Sequence, residues 1–80
     1  MSDVDDAHRH SSRNSALLAD SAGCGCFYCL AIYPPSEIAD WTDGGRTALC
    51  PRCGIDSVIA DRSGYPVTRQ FLEQMHARWF

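Results

Sequence analysis

The sequence predicts one small α+β domain that needs a staple beyond its own core. Three observations carry this. The chain has 80 residues, five of them cysteine, and a core that small rarely holds a fold with margin. Four of the cysteines fall in two Cx2C pairs, Cys26 with Cys29 and Cys50 with Cys53. Apolar residues recur at helical spacing near the C-terminus, whereas the centre of the chain carries a turn signal between short strand-like flanks.

The elements follow in order. Residues 1–23 are rich in Asp, Ser, His and Arg and hold few large apolar side chains beyond Leu17 and Leu18. This composition predicts a flexible polar tail with at most a helical turn over 15–20, and it makes His8 and His10 solvated rather than ligating. The domain proper is expected over 24–80. "CGCFYCLAIY" opens it as a compact apolar run, and Pro34 with Pro35 ends that run. Ser36 is placed to cap a short helical turn reaching Trp41. Asp43-Gly44-Gly45 then predicts a hairpin leading into "TALC". After Cys53, residues Ile55, Val58 and Ile59 stand at i, i+3 and i+4, which predicts a short helix over 54–61. In "PVTRQFLEQMHARWF", Phe71, Leu72, Met75 and Trp79 share one helical face behind Thr68 as N-cap, so a C-terminal helix is expected over 68–79.

The two Cx2C pairs are separated by twenty residues, a spacing that reads as a four-thiolate zinc site. Two thiolates with two residues between them converge on one ion when the backbone turns back, and that turn aims amide N–H groups at the sulfurs. Pro51 fixes φ inside the second turn, and Gly54 lets the chain pass close by without a Cβ. Cys26, Cys29, Cys50 and Cys53 then supply the tetrahedral set that Zn²⁺ takes, at about 2.3 Å per bond. One structural Zn²⁺ per chain contributes about 10–16 kcal/mol of apparent binding energy at neutral pH, enough to staple a domain of this size. Cys24, the remaining cysteine, reads as a small buried residue or as an accessory thiol beside the metal that could act as an oxidation trigger.

A first pair, a hairpin and a second pair opening a helix is the treble-clef arrangement. Two pairs each in a strand-to-strand turn make a zinc ribbon, the alternative. The helical spacing of Ile55, Val58 and Ile59 favours the treble clef.

The strings "GCFYCLAIYPPSEIADW", "TALCPRCGIDSVIADRSGYPVT" and "FLEQMHARWF" resemble a family of small bacterial zinc-finger-like proteins known simply as "cytoplasmic protein". The resemblance covers residues 24–80 and leaves the tail outside. It implies a metal-binding domain in a bacterial cytosol, with Cys26, Cys29, Cys50 and Cys53 as ligands and no activity to carry over.

Four functions compete. A closed four-cysteine shell leaves no place for water or substrate, which favours a non-enzymatic module binding an unknown protein partner through Tyr28, Tyr33, Trp41, Tyr65, Trp79 and Phe80. An HNH-like nuclease is disfavoured because "ADWTDGGRTALC" holds no histidine base, and His76 reads as a helix-surface residue. Nucleic-acid binding through Arg46, Arg52 and Arg62 is not favoured. The net charge is −3, all seven basic residues are scattered arginines, and Asp43, Asp56 and Asp61 lie among them. A rubredoxin-like iron electron carrier suits "CPRCG", but Leu30 stands where the first pair should be followed by glycine. The acidic start "MSDVDDAHRH" has no apolar signal region, and no stretch approaches the ~20 apolar residues of a membrane span, so no membrane role and a cytoplasmic location are expected.

Overall fold

Cys24-Gly25-Cys26 forms β1 (Cys24–Cys26), the middle strand of a three-stranded antiparallel sheet. The computed structural model describes residues 3–80 of the chain. Strand β2 (Ile32–Tyr33) pairs Tyr33 with Cys24, and β5 (Val58–Ala60) pairs Val58 with Cys26 and Ala60 with Cys24. A separate ribbon joins β3 (Trp41–Thr42) to β4 (Thr47–Ala48) across Asp43 and Gly44-Gly45, all with positive φ. Asp43 tolerates that conformation because its carboxylate accepts a hydrogen bond from the Thr47 hydroxyl at 2.9 Å.

Side chains alternate across the main sheet and build two apolar layers. Cys24, Cys26, Val58 and Ala60 point to the layer holding Leu18, Tyr33, Ile38, Ala48 and Cys50. Ile59 points the other way, into Ala7, Phe27, Phe71, Leu72 and Met75. Helix α3 (Arg69–Trp79) closes that second face, with the Thr68 hydroxyl accepting from the Phe71 amide at 3.2 Å. Gly25 lies beneath it. A Cβ there would stand 2.8 Å from Leu72 Cδ1 and 3.0 Å from Val67 Cγ1, so only glycine lets α3 sit this close.

Three expectations are corrected. The stretch 54–61 holds no helix; it ends in strand β5, which runs directly into a 3-10 turn at Asp61–Ser63. Val58, Ile59 and Ala60 are all fully buried, so both faces of the strand are apolar and the alternation that betrays a strand is erased. The turn expected from Ser36 to Trp41 is a 3-10 turn at Pro35–Glu37, and Trp41 belongs to β3.

The third correction concerns the N-terminal segment, read as a flexible tail over 1–23. Residues 1 and 2 lie outside the described residues. Helix α1 (Asp3–His8), a 3-10 turn at Arg9–Ser11 and helix α2 (Ser15–Ala19) pack onto the domain through Ala7, Asn14 and Leu18, all buried. His8 is no solvated side chain: its ring lies 4.0 Å from that of Trp79, and the Arg78 guanidinium meets Asp5 at 3.0 Å. Asn14 joins the two sheets. Its Nδ2 donates to the Val58 carbonyl at 2.8 Å and its Oδ1 accepts from the Ala48 amide at 3.1 Å. The flanking Arg13 amide donates to Thr47 Oγ1 at 2.8 Å and the Ser15 amide to the Arg46 carbonyl at 3.0 Å.

Candidate metal centre

Each Cx2C pair sits in a tight turn leaving a strand, and the two turns share one hydrogen-bond pattern. In the first, the Leu30 amide donates to the Cys26 carbonyl at 2.9 Å, and the Tyr28 amide points at Cys26 Sγ from 3.3 Å. In the second, the Gly54 amide donates to the Cys50 carbonyl at 2.9 Å, and the Arg52 amide points at Cys50 Sγ from 3.4 Å. Both turns are then closed from behind at 3.0 Å, the Cys26 amide donating to the Ala31 carbonyl and the Cys50 amide to the Ile55 carbonyl.

The residue after each pair must take a left-handed backbone. Gly54 does so at φ +78°, and nothing approaches within 4 Å of where its Cβ would be. Its value is therefore this conformation and not the close approach expected from the sequence. Leu30 takes the same conformation at φ +67°. The glycine missing from the first pair is thus replaced by a strained leucine, whose side chain is held by the layer around Phe27.

The turns face each other and bring Cys26, Cys29, Cys50 and Cys53 together with every pair of sulfurs within 4.8 Å. Two contacts cross between the turns: Cys26 to Cys53 at 3.6 Å and Cys29 to Cys50 at 3.7 Å. A tetrahedron of sulfurs about 2.3 Å from one ion has edges of about 3.8 Å. All five cysteines are free thiols. The donor set and its spacing therefore fit a metal ion of tetrahedral preference.

The charges point the same way. Burial opposes ionisation of Cys50, but the Tyr33 hydroxyl and the Arg52 and Cys53 amides outweigh it and bring the thiol down to about 7. Burial pushes Cys29 and Cys53 up, and the neighbouring sulfurs add to it. Four thiolates this close do not ionise together unless a cation compensates them.

Two hydroxyls escape sequence reading. Ser57 Oγ lies 2.9 Å from Cys26 Sγ, with both residues buried. Tyr33, expected to be an exposed contact residue, is only 3% exposed. Its buried hydroxyl makes no hydrogen bond of ordinary geometry, and the nearby Cys50 thiol is the group whose ionisation it favours. Burial above all keeps that phenol protonated, so it can only donate toward Cys50. Ser57 and Tyr33 give each turn's inner sulfur an O–H neighbour. Cys24 stands apart from the four: it is fully buried on β1, its thiol donates to the Tyr33 carbonyl at 3.3 Å, and burial pushes it up to about 12.

The chain matches no family model, no curated protein and no solved structure.

Proposed function

We propose that the chain is a zinc-stabilised binding module of ribbon type, acting in the cytoplasm on a protein partner and carrying no catalysis. One observation carries the metal: four thiols from two matched turns, all within 4.8 Å of one another. The shell is closed by four cysteines and leaves no open position for substrate. A surface groove of about 560 Å³, lined by Leu18, Pro34, Pro35 and Trp41 among others, includes none of the four cysteines. Strand β5 after the second turn supports the ribbon over the treble clef, whose helix would stand there.

The partner reading rests on exposed aromatic area beside the first turn. Tyr28 and Phe80 are 42% and 57% exposed, and their rings meet edge to face at 4.8 Å. Aromatic side chains anchor protein interfaces at low entropic cost. Nucleic acid is the weaker partner, because Arg52 is paired with Glu37 and Arg62 with Asp20. Among the described residues no helix is long and apolar enough to cross a membrane, and the resemblance to small bacterial cytoplasmic proteins supports the same compartment.

A second reading keeps the site and changes the ion. The matched turns, with amides aimed at Cys26 and Cys50, suit iron electron transfer as well as zinc. Native mass spectrometry with elemental analysis of reduced protein separates them. Bound zinc, at one ion per chain, is expected. Iron with a reversible redox couple selects the carrier, and folded protein without metal removes both readings.

A further inference from the structure

The four sulfurs are not equivalent. Cys26 is fully buried and faces two amides and the Ser57 hydroxyl; Cys50 is 2% exposed and faces the Arg52 and Cys53 amides and the Tyr33 hydroxyl. Cys53, half-buried, and Cys29, exposed, each have one amide, from Ile55 and Ala31. Hydrogen bonds to a thiolate draw charge from sulfur, and burial shields it from reagents. Cys29 and Cys53 have the fewest hydrogen bonds, and Cys29 is the more exposed of the two.

We propose that Cys29 is a modification site for peroxides and other small electrophiles, and that its oxidation opens the metal centre. The inference rests on the metal-binding reading above. The Cys29 thiolate attacks one oxygen of hydrogen peroxide: the S–O bond forms, the O–O bond breaks and hydroxide leaves. Cys50, whose sulfur lies 3.7 Å away in the facing turn, then attacks the Cys29 sulfur. The S–S bond forms, the S–O bond breaks and a second hydroxide leaves. Two thiolates are oxidised by two electrons, and one peroxide is reduced. Cys26 and Cys53 are left as a ligand pair, too few to hold the ion. The oxidation trigger is thus assigned to Cys29, and Cys24 keeps the other of its two sequence readings, a small buried residue. Cys24 is fully buried and already donates to the Tyr33 carbonyl.

The test uses the full chain with its zinc content measured first. Hydrogen peroxide is added stepwise, released zinc is read with a chromogenic chelator, and disulfides are mapped without reduction. Zinc release in step with a Cys29–Cys50 disulfide is expected, with dithiothreitol and zinc restoring the start. Substoichiometric iodoacetamide should label Cys29 about ten-fold faster than any other cysteine. Cys24→Ser should release zinc at the wild-type rate. A first disulfide between Cys26 and Cys53, first labelling elsewhere, or slowed release in Cys24→Ser overturns the proposal while the metal centre stands. No zinc uptake by reduced protein overturns the metal centre and this inference with it.

Discussion

Ser57 Oγ stands 2.9 Å from Cys26 Sγ, inside the protein and out of reach of water. The contact exists because β5 pairs Val58 with Cys26 and so brings the residue before Val58 to the first turn. The Ser57 carbonyl also accepts from the Phe27 amide at 3.0 Å, so this one residue holds the turn by backbone and by side chain.

The hydroxyl is placed to donate to Cys26 Sγ when that sulfur holds a metal, and its loss should weaken metal retention without unfolding the chain. Ser57→Ala is expected to lower zinc affinity about 10–100-fold, the range for partners of metal ligands. Ser57→Thr should restore most of it. Chelator competition measures both. Unchanged affinity in Ser57→Ala would show that the contact is packing alone.

Asn14 makes a sharper structural prediction. Asn14→Ala leaves the Ala48 amide and the Val58 carbonyl without their side-chain partner at a buried site. Each buried polar group left unpaired costs about 1–3 kcal/mol, so the substitution should cost about 2–4 kcal/mol. Denaturant unfolding of metal-loaded protein reads the loss directly. A change near zero would mean that the Asn14 bonds between the two sheets contribute nothing to the stability of the domain.

These two residues also show where sequence reading stops. Cys26, Cys29, Cys50 and Cys53 are legible because each pair is a local pattern with one chemical use, and only their meeting requires the fold. The α3 face is legible because Phe71, Leu72 and Met75 bury one side while Glu73 and Gln74 stay in solvent. Asn14 is illegible because its partners lie 34 and 44 residues away, so its amide resembles any other polar side chain of that segment. Ser57 acquires a role only through the register of β5. That strand was itself masked, since apolar residues on both of its faces mimic helical spacing over so short a run.

Gly25 tests how closely α3 lies on the sheet. In Gly25→Ala the new methyl meets Leu72 Cδ1 at 2.8 Å and Val67 Cγ1 at 3.0 Å, and α3 must shift or repack. Overpacking of this kind costs about 1–3 kcal/mol. Thermal unfolding should show the loss, and Leu72→Val in the same chain should recover part of it by removing the methyl that collides. Failure of that second change to help would place the strain elsewhere.

The staple argument has the largest expected effect. Cys50 sits 2% exposed in the second turn, and its sulfur is one of four within 4.8 Å of one another. In the proposed zinc site, Cys50→Ser replaces a thiolate by a hydroxyl that binds zinc poorly and stays protonated. Metal binding in such domains contributes about 10–16 kcal/mol, whereas net stability is about 5–15 kcal/mol, so losing most of it should abolish cooperative unfolding. Chelation of the wild-type chain should do the same, and added zinc should reverse the chelation but not the substitution. The two measurements separate a damaged core from a lost ion. If Cys50→Ser unfolds while the chelated wild type still melts cooperatively at its original temperature, the cysteine matters for packing and the two sheets hold without a metal. If both lose their transition, the ion is what lets so short a chain keep one structure.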